Sequence, residues 1–225
     1  MPGPPVLLLH GLAASAASTW REAGWLDLLA DAGRTVVAPD LPGHGSTPLP
    51  PERIDLTAFA LDLVPAGGEP VDAIGFSLGA RTVLLAAATA PERFRKVVLS
   101  GIGASLFRND DSMLKVADAL EAGDPDEPMA RYFLDHARRS GTDPVGLARL
   151  LRECCPEVTA EHLSRLTMPV LVVIGERDVA GPGEPLAEAL PNAKCVTLPG
   201  VDHFSTPKQY GFLDAALEFL DAVPT

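Results

Sequence analysis

The sequence is poor in cysteine, in positive charge and in long apolar runs. Only three cysteines occur in 225 residues, and Cys154 and Cys155 are adjacent. An odd count with one vicinal pair is a poor disulfide framework, and no spacing suits zinc. Free thiols in a reducing compartment are expected. Lysine and arginine number 18 against 30 acidic residues, a net charge of -12. A surface this acidic repels phosphate backbones, so nucleic acid is excluded as a partner. The apolar run Val6–Leu9 is far too short to span a membrane. The chain shows neither the basic start nor the cleavage site of a signal peptide. A soluble, cytoplasmic protein without a membrane partner is the expectation. There is no Walker loop and no G-x-G-x-x-G after a strand, so nucleotide binding has no support. Low-complexity stretches and repeats are absent too.

What is present is a chain that is 47% hydrophobic, enough for one compact domain, 1–225, with a sizeable core. Short apolar runs recur at Val6–Leu9, Thr35–Ala38, Val71–Ile74, Lys96–Leu99, Val170–Ile174 and Cys195–Leu198. Most are continuously apolar rather than alternating, as strands buried on both faces of a parallel sheet are. Helix-length patterns separate them: Trp20–Ala32, Thr57–Val64, Leu78–Ala90, Glu184–Leu190 and Pro207–Ala222. The alternation predicts an α/β fold, a doubly wound, mostly parallel sheet of about six strands with right-handed crossovers.

One segment breaks the rhythm. From about 105 to 166 no good strand occurs. Asp110–Glu121 carries Met113, Leu114, Ala117 and Leu120 on one face, and Pro128–Arg139 carries Met129, Tyr132, Phe133 and His136. Asp143-Pro144 reads as a helix cap and first-turn proline leading into Leu147, Leu150 and Leu151. The segment is expected to be a small helical insertion between two strands. Its short helices and Gly-, Pro- and Asp-rich turns predict some mobility.

The sharpest local signal is Gly75-Phe76-Ser77-Leu78-Gly79, set between an apolar strand and an Ala- and Leu-rich helix. The pattern alone arises by chance in about one chain of this length in ten, so its placement carries the reading. A serine on a sharp strand-to-helix turn projects its hydroxyl away from the sheet in a strained conformation. Glycines two positions either side let strand and helix pass closely. The turn also aims the amide of Leu78 at a developing oxyanion.

In chain order stand Leu8-Leu9-His10-Gly11-Leu12, Asp40-Leu41-Pro42-Gly43-His44-Gly45, the Ser77 turn, Gly175-Glu176-Arg177-Asp178 and Val201-Asp202-His203-Phe204. Over nearly the whole chain this resembles the capped α/β-hydrolase superfamily of esterases, lactonases, C–C bond hydrolases and cofactor-free haloperoxidases. The resemblance implies Ser77 as nucleophile, Asp178 as orienting acid and His203 as base, in the order that fold uses. Asp178 follows a buried strand at the carboxyl edge, where open α/β sheets bind ligands. Asp202 adjoins His203 and should point elsewhere; Asp72 lies at the wrong edge. Of five histidines, His10 and His44 sit in glycine turns that brace the oxyanion loop in the family, and His136 and His162 lie in the insertion. His203 alone follows the last strand. The residue after His-Gly in the family usually supplies the other oxyanion amide, here Leu12.

Candidate pocket linings are Leu12, Phe76, Leu78, Phe107, Met113, Tyr132, Phe133 and Phe204, which would favour acyl groups of modest bulk. Arg81 is expected on the helix side, leaving no obvious clamp for a carboxylate. Neither metal nor organic cofactor is implied. A serine at the turn argues against the dehalogenase and epoxide hydrolase branches, which carry aspartate there.

In one respect the chain departs from the family. Relatives have antiparallel strands before the one that leads into His-Gly, but Met1–Pro5 is too short for any. The sheet is expected to begin at Val6, leaving an edge that pairing or a homodimer could cover; monomer and homodimer both stay open. Three functions fit: hydrolysis of a small-molecule carboxylic ester, thioester or lactone; a C–C hydrolase, perhydrolase or acyltransferase on the same residues; or a ligand sensor on this fold.

Overall fold

The structure is a computed structural model and describes residues 3–64, 67–108, 112–123, 126, 128–140, 142–154 and 156–224. Six strands form one sheet: β1 (Val6–Leu9), β2 (Val36–Val37), β3 (Val71–Phe76), β4 (Phe94–Ser100), β5 (Val170–Arg177) and β6 (Ala193–Asp202). Their order is β2-β1-β3-β4-β5-β6, and every neighbouring pair is parallel. The chain first steps from β1 to β2, then crosses back to β3 on the other side. That reversal opens a crevice at the carboxyl ends of β1 and β3, where open α/β sheets bind ligands.

Helices cover both faces: α1 (Trp25–Asp31), α2 (Leu56–Asp62), α3 (Leu78–Thr89), α4 (Ser112–Ala122), α5 (Pro128–Ser140), α6 (Pro144–Glu153), α7 (Ala160–Ser164), α8 (Glu184–Ala189) and α9 (Tyr210–Phe219). Alternate strand residues feed two separate cores. Leu7, Leu9, Ala73, Val97, Leu99 and Val172 pack beneath α2, α3 and α8. Val6, Leu8, Ile74, Val98, Leu171 and Val173 pack with α1 and α9, around Trp25 and Phe212. Burial on both faces is why the strands read as unbroken apolar runs.

Three elements differ from the sequence expectation. The helix expected over Trp20–Ala32 is a π-turn at Ala17–Arg21 followed by α1, because Gly24 takes φ +81 between them. The strand expected over Thr35–Ala38 pairs only at Val36 and Val37, at the sheet edge. The last helix begins as a separate 3-10 turn, Thr206–Lys208, before α9.

The segment between β4 and β5 holds α4 to α7 and no strand among its described residues. Asp143 caps α6 by accepting from the amides of Val145 and Gly146, with Pro144 in the first turn. Thr159 and His162 cap α7 reciprocally, which gives His162 a local structural role. Arg81 on α3 donates to the Pro156 carbonyl and ties this segment to the helix after Ser77. Cys154 is buried, with its sulfur 3.7 Å from the Ile54 carbonyl oxygen, and Cys195 is half-buried; Cys155 lies outside the described residues. Among those residues no helix is long and apolar enough to cross a membrane.

Candidate active site

The local geometry starts at the turn from β3 into α3. Ser77 has φ +54 and ψ -113, a region a serine rarely occupies, at a cost of about 1–3 kcal/mol. Its amide is anchored on the Ser100 carbonyl at 2.8 Å. The flanking glycines are sterically required. A Cβ on Gly75 would lie 2.5 Å from the Ala80 Cα, and one on Gly79 would lie 2.1 Å from the Leu9 carbonyl oxygen. Helix, elbow and the neighbouring strand therefore fit only with hydrogen at both positions.

Ser77 Oγ lies 3.1 Å from His203 Nε2, and His203 Nδ1 lies 2.8 Å from Asp178 Oδ1. The sequence separation of 126 between serine and histidine is closed by the parallel order of the sheet. Asp178 stands just past β5, and its Oδ1 also accepts the Ala180 amide at 2.8 Å. The carboxylate is buried, and its Oδ2 has no hydrogen-bond partner among the described residues. A carboxylate so placed fixes the Nδ1–H tautomer, leaving Nε2 to accept from the serine hydroxyl. Phe76 and Phe204 flank the imidazole with ring centroids 4.9 and 5.1 Å away. A Cβ on Gly101 would approach His203 Cε1 to 3.1 Å, so β4 leaves just enough room for the ring.

Neither rival acid competes. Asp202 accepts the amide and hydroxyl of Ser205, and these bonds hold its carboxyl below the usual range. Asp72 is buried at the opposite edge of the sheet between Arg34 and Arg95.

The loop after β1 is held by two neutral histidines. His10 Nδ1–H donates to the Gly11 carbonyl at 2.8 Å, and Nε2 accepts the Leu41 amide at 2.9 Å. His44 Nδ1–H donates to the Pro42 carbonyl at 3.0 Å, and Nε2 accepts the Ala13 amide at 2.9 Å. Burial, and for His10 also the neighbouring His44, pushes His10 down to about 3; burial likewise lowers His44. The two rings meet edge-on at 5.1 Å. Between them the loop turns through Ala13 at φ +57. No group among the described residues accepts the amide hydrogen of Leu12 or of Leu78. Leu78 follows Ser77 directly, and a Cβ on Gly11, next to Leu12, would sit 3.3 Å from the Ser77 Cβ.

A pocket of about 100 Å³ opens onto Ser77 and His203. Of the candidate linings, Leu12, Phe76, Tyr132, Phe133 and Phe204 border it. Leu78 instead packs its side chain into the core under α3. Phe107 and Met113 do not line the pocket and are exposed, at 49% and 37%. The cap turns α5, not the start of α4, toward the serine. The Tyr132 ring stacks on Phe204 at 3.4 Å between centroids, fixing α5 over the histidine loop. The polar lining at Ser18, Thr19, His136 and Lys208 escaped sequence reading. It comes from a π-turn, a cap helix and a 3-10 turn that carry no motif.

The sequence model of the Alpha/beta hydrolase family matches residues 6–220. The chain belongs to this family. The chain is 29% identical over 197 residues to a pimeloyl-[acyl-carrier protein] methyl ester esterase of Neisseria meningitidis, covering 75% of each chain. Among solved structures it resembles an esterase of Thermogutta terrifontis, with a TM-score of 0.76 and 22% identity over 100% of this chain and 92% of the other. It also resembles 2-hydroxy-6-oxo-6-phenylhexa-2,4-dienoate hydrolase of Rhodococcus, with a TM-score of 0.68 and 25% identity over 97% and 90%.

Proposed function

We propose that this α/β hydrolase is a carboxylesterase-like enzyme that cleaves small carboxylic esters through an acyl-enzyme on Ser77. The observation that carries the reading is the continuous chain from Ser77 Oγ through His203 to Asp178, at 3.1 and 2.8 Å. The esterase among the relatives supports the choice of ester over other acyl chemistry.

The steps follow from the geometry. Ser77 Oγ attacks the ester carbonyl carbon as its proton passes to His203 Nε2. Asp178 keeps the Nδ1–H tautomer and balances the imidazolium charge. The carbonyl oxygen gains the electron pair and is received by the free amides of Leu12 and Leu78. Collapse breaks the bond to the alkoxy oxygen, which leaves as alcohol with the proton from His203. A water then gives its proton to His203 and attacks the acyl carbon. The second collapse frees the carboxylic acid and returns the proton to Ser77. The chain acts as one domain, 1–225, with residues of about 105–166 as its cap, and three cysteines, two of them adjacent, suit the cytoplasm.

Hydrolysis of p-nitrophenyl esters from acetate to decanoate, by the wild type and Ser77→Ala, tests the reading. Turnover is expected to favour short chains, because the pocket is smaller than drug-sized sites of about 300 Å³ and more. Folded protein that turns over no ester, or a Ser77→Ala variant as fast as the wild type, would overturn it.

A further inference from the structure

The pocket differs in charge from the rest of the molecule. The chain has net charge -12, yet no aspartate or glutamate lines the pocket, whereas Lys208, His136 and Thr19 do. Thr19 is only 5% exposed. Its amide is held by the Ser15 carbonyl at 3.0 Å, whereas its hydroxyl makes no hydrogen bond among the described residues. Unlike the sealed, unpartnered Ser100 hydroxyl, that of Thr19 keeps access to the pocket and is open to a guest's oxygen. Lys208 lies on the 3-10 turn just after His203. Its nearest ion-pair partner, Glu22, is 3.9 Å away, with both side chains more than half exposed. A pair that exposed and that long holds the ammonium weakly. His136 lies across the pocket on α5, with its ring parallel to Tyr132 at 6.0 Å.

We propose that Lys208, Thr19 and His136 form a subsite for a carboxylate at the end of the substrate remote from the scissile ester. This rests on the esterase reading and names its substrate class: short monoesters of dicarboxylic acids. One full positive charge flanked by a hydroxyl and an imidazole matches a monoanion better than a phosphate dianion. The small volume keeps ester and carboxylate only a few carbons apart. Lys208 is a specificity residue here and takes no part in the proton transfers between Ser77, His203 and Asp178.

The test pairs monomethyl glutarate with methyl 5-methylhexanoate, in which an isopropyl group replaces the carboxylate at the same chain length. The wild type is expected to favour the anionic ester by about tenfold or more in kcat/KM, the scale of a charge-assisted hydrogen bond in a half-exposed site. In Lys208→Gln and in Thr19→Val that ratio is expected to fall toward one. A wild type that hydrolyses both esters without the preference, or a ratio unchanged in Lys208→Gln, overturns the subsite. Calorimetry on Ser77→Ala protein reads the subsite without catalysis. Monomethyl glutarate should bind, and adding Lys208→Gln should weaken it by about tenfold. Absent or unaltered binding overturns the proposal. Binding that depends on Lys208, with neither ester hydrolysed by the wild type, supports the subsite and counts against the esterase reading.

Discussion

The carboxyl edge of the sheet and the helical cap close on the same pocket, but they are built in different ways. At the sheet edge, backbone sterics dictate the arrangement. Ser77 is held at φ +54, and Gly75 and Gly79 sit where any Cβ would meet backbone atoms. In the cap, side-chain contacts do the positioning: the Tyr132–Phe204 stack and Arg81 on the Pro156 carbonyl. Near the end of α4, Gly123 has φ +67 with nothing within 4 Å of an added Cβ. Backbone leaves no space at those two edge positions, whereas Gly123 in the helical segment has open space around it.

Substitutions can break that contrast. The largest effect belongs to the edge: Ser77→Ala and His203→Ala should each lose about 10³ or more in kcat, as removal of such residues does. Steady-state kinetics on the best ester would show it, and retention of more than about a tenth of the rate would refute the roles. Next comes stability. Gly79→Ala should cost about 3 kcal/mol or more, because the new Cβ meets two carbonyl oxygens of the β1 strand end at 2.1 and 2.6 Å. Gly123→Ala should cost about 1 kcal/mol, the strain of a left-handed alanine alone. Denaturant midpoints compare the two, and equal losses would erase the distinction.

Acid should loosen the edge as well. His10 and His44 are neutral in the fold and lowered from 6.5, so the unfolded chain binds more protons below that pH. Stability is then full above about pH 6.5 and falls as pH drops toward 3, by about 1.4 kcal/mol per pH unit for each proton taken up on unfolding. His44→Gln should flatten the slope of denaturant stability between pH 6.5 and 5; an unchanged slope would remove His44 from the account. The smallest effect lies in the cap. Tyr132→Ala should leave an active enzyme whose best ester is longer, with kcat/KM on acetate down by about tenfold. The p-nitrophenyl series reads this directly.

The same contrast explains what could be read from sequence. The strands were legible because burial on both faces leaves no polar alternation, as at Val170–Ile174. Ser77, Asp178 and His203 were legible because each sits at a strand end with a motif around it. The pocket wall was not. Phe107 and Met113 resemble Tyr132 and Phe133 in composition, but only the pair on α5 lines the pocket. Periodicity gives a helix its faces and leaves its docking open. Thr19 and Lys208 were hidden for another reason: a π-turn broken by Gly24 and a 3-10 turn have no pattern of their own. Local propensity, not side-chain chemistry, would have had to place them.

The most direct test of the central claim is labelling with a fluorophosphonate, followed by mass mapping of the adduct. The account predicts one adduct, on Ser77, absent in Ser77→Ala and formed far more slowly in His203→Ala. An adduct on another residue, or none from folded protein, would contradict it.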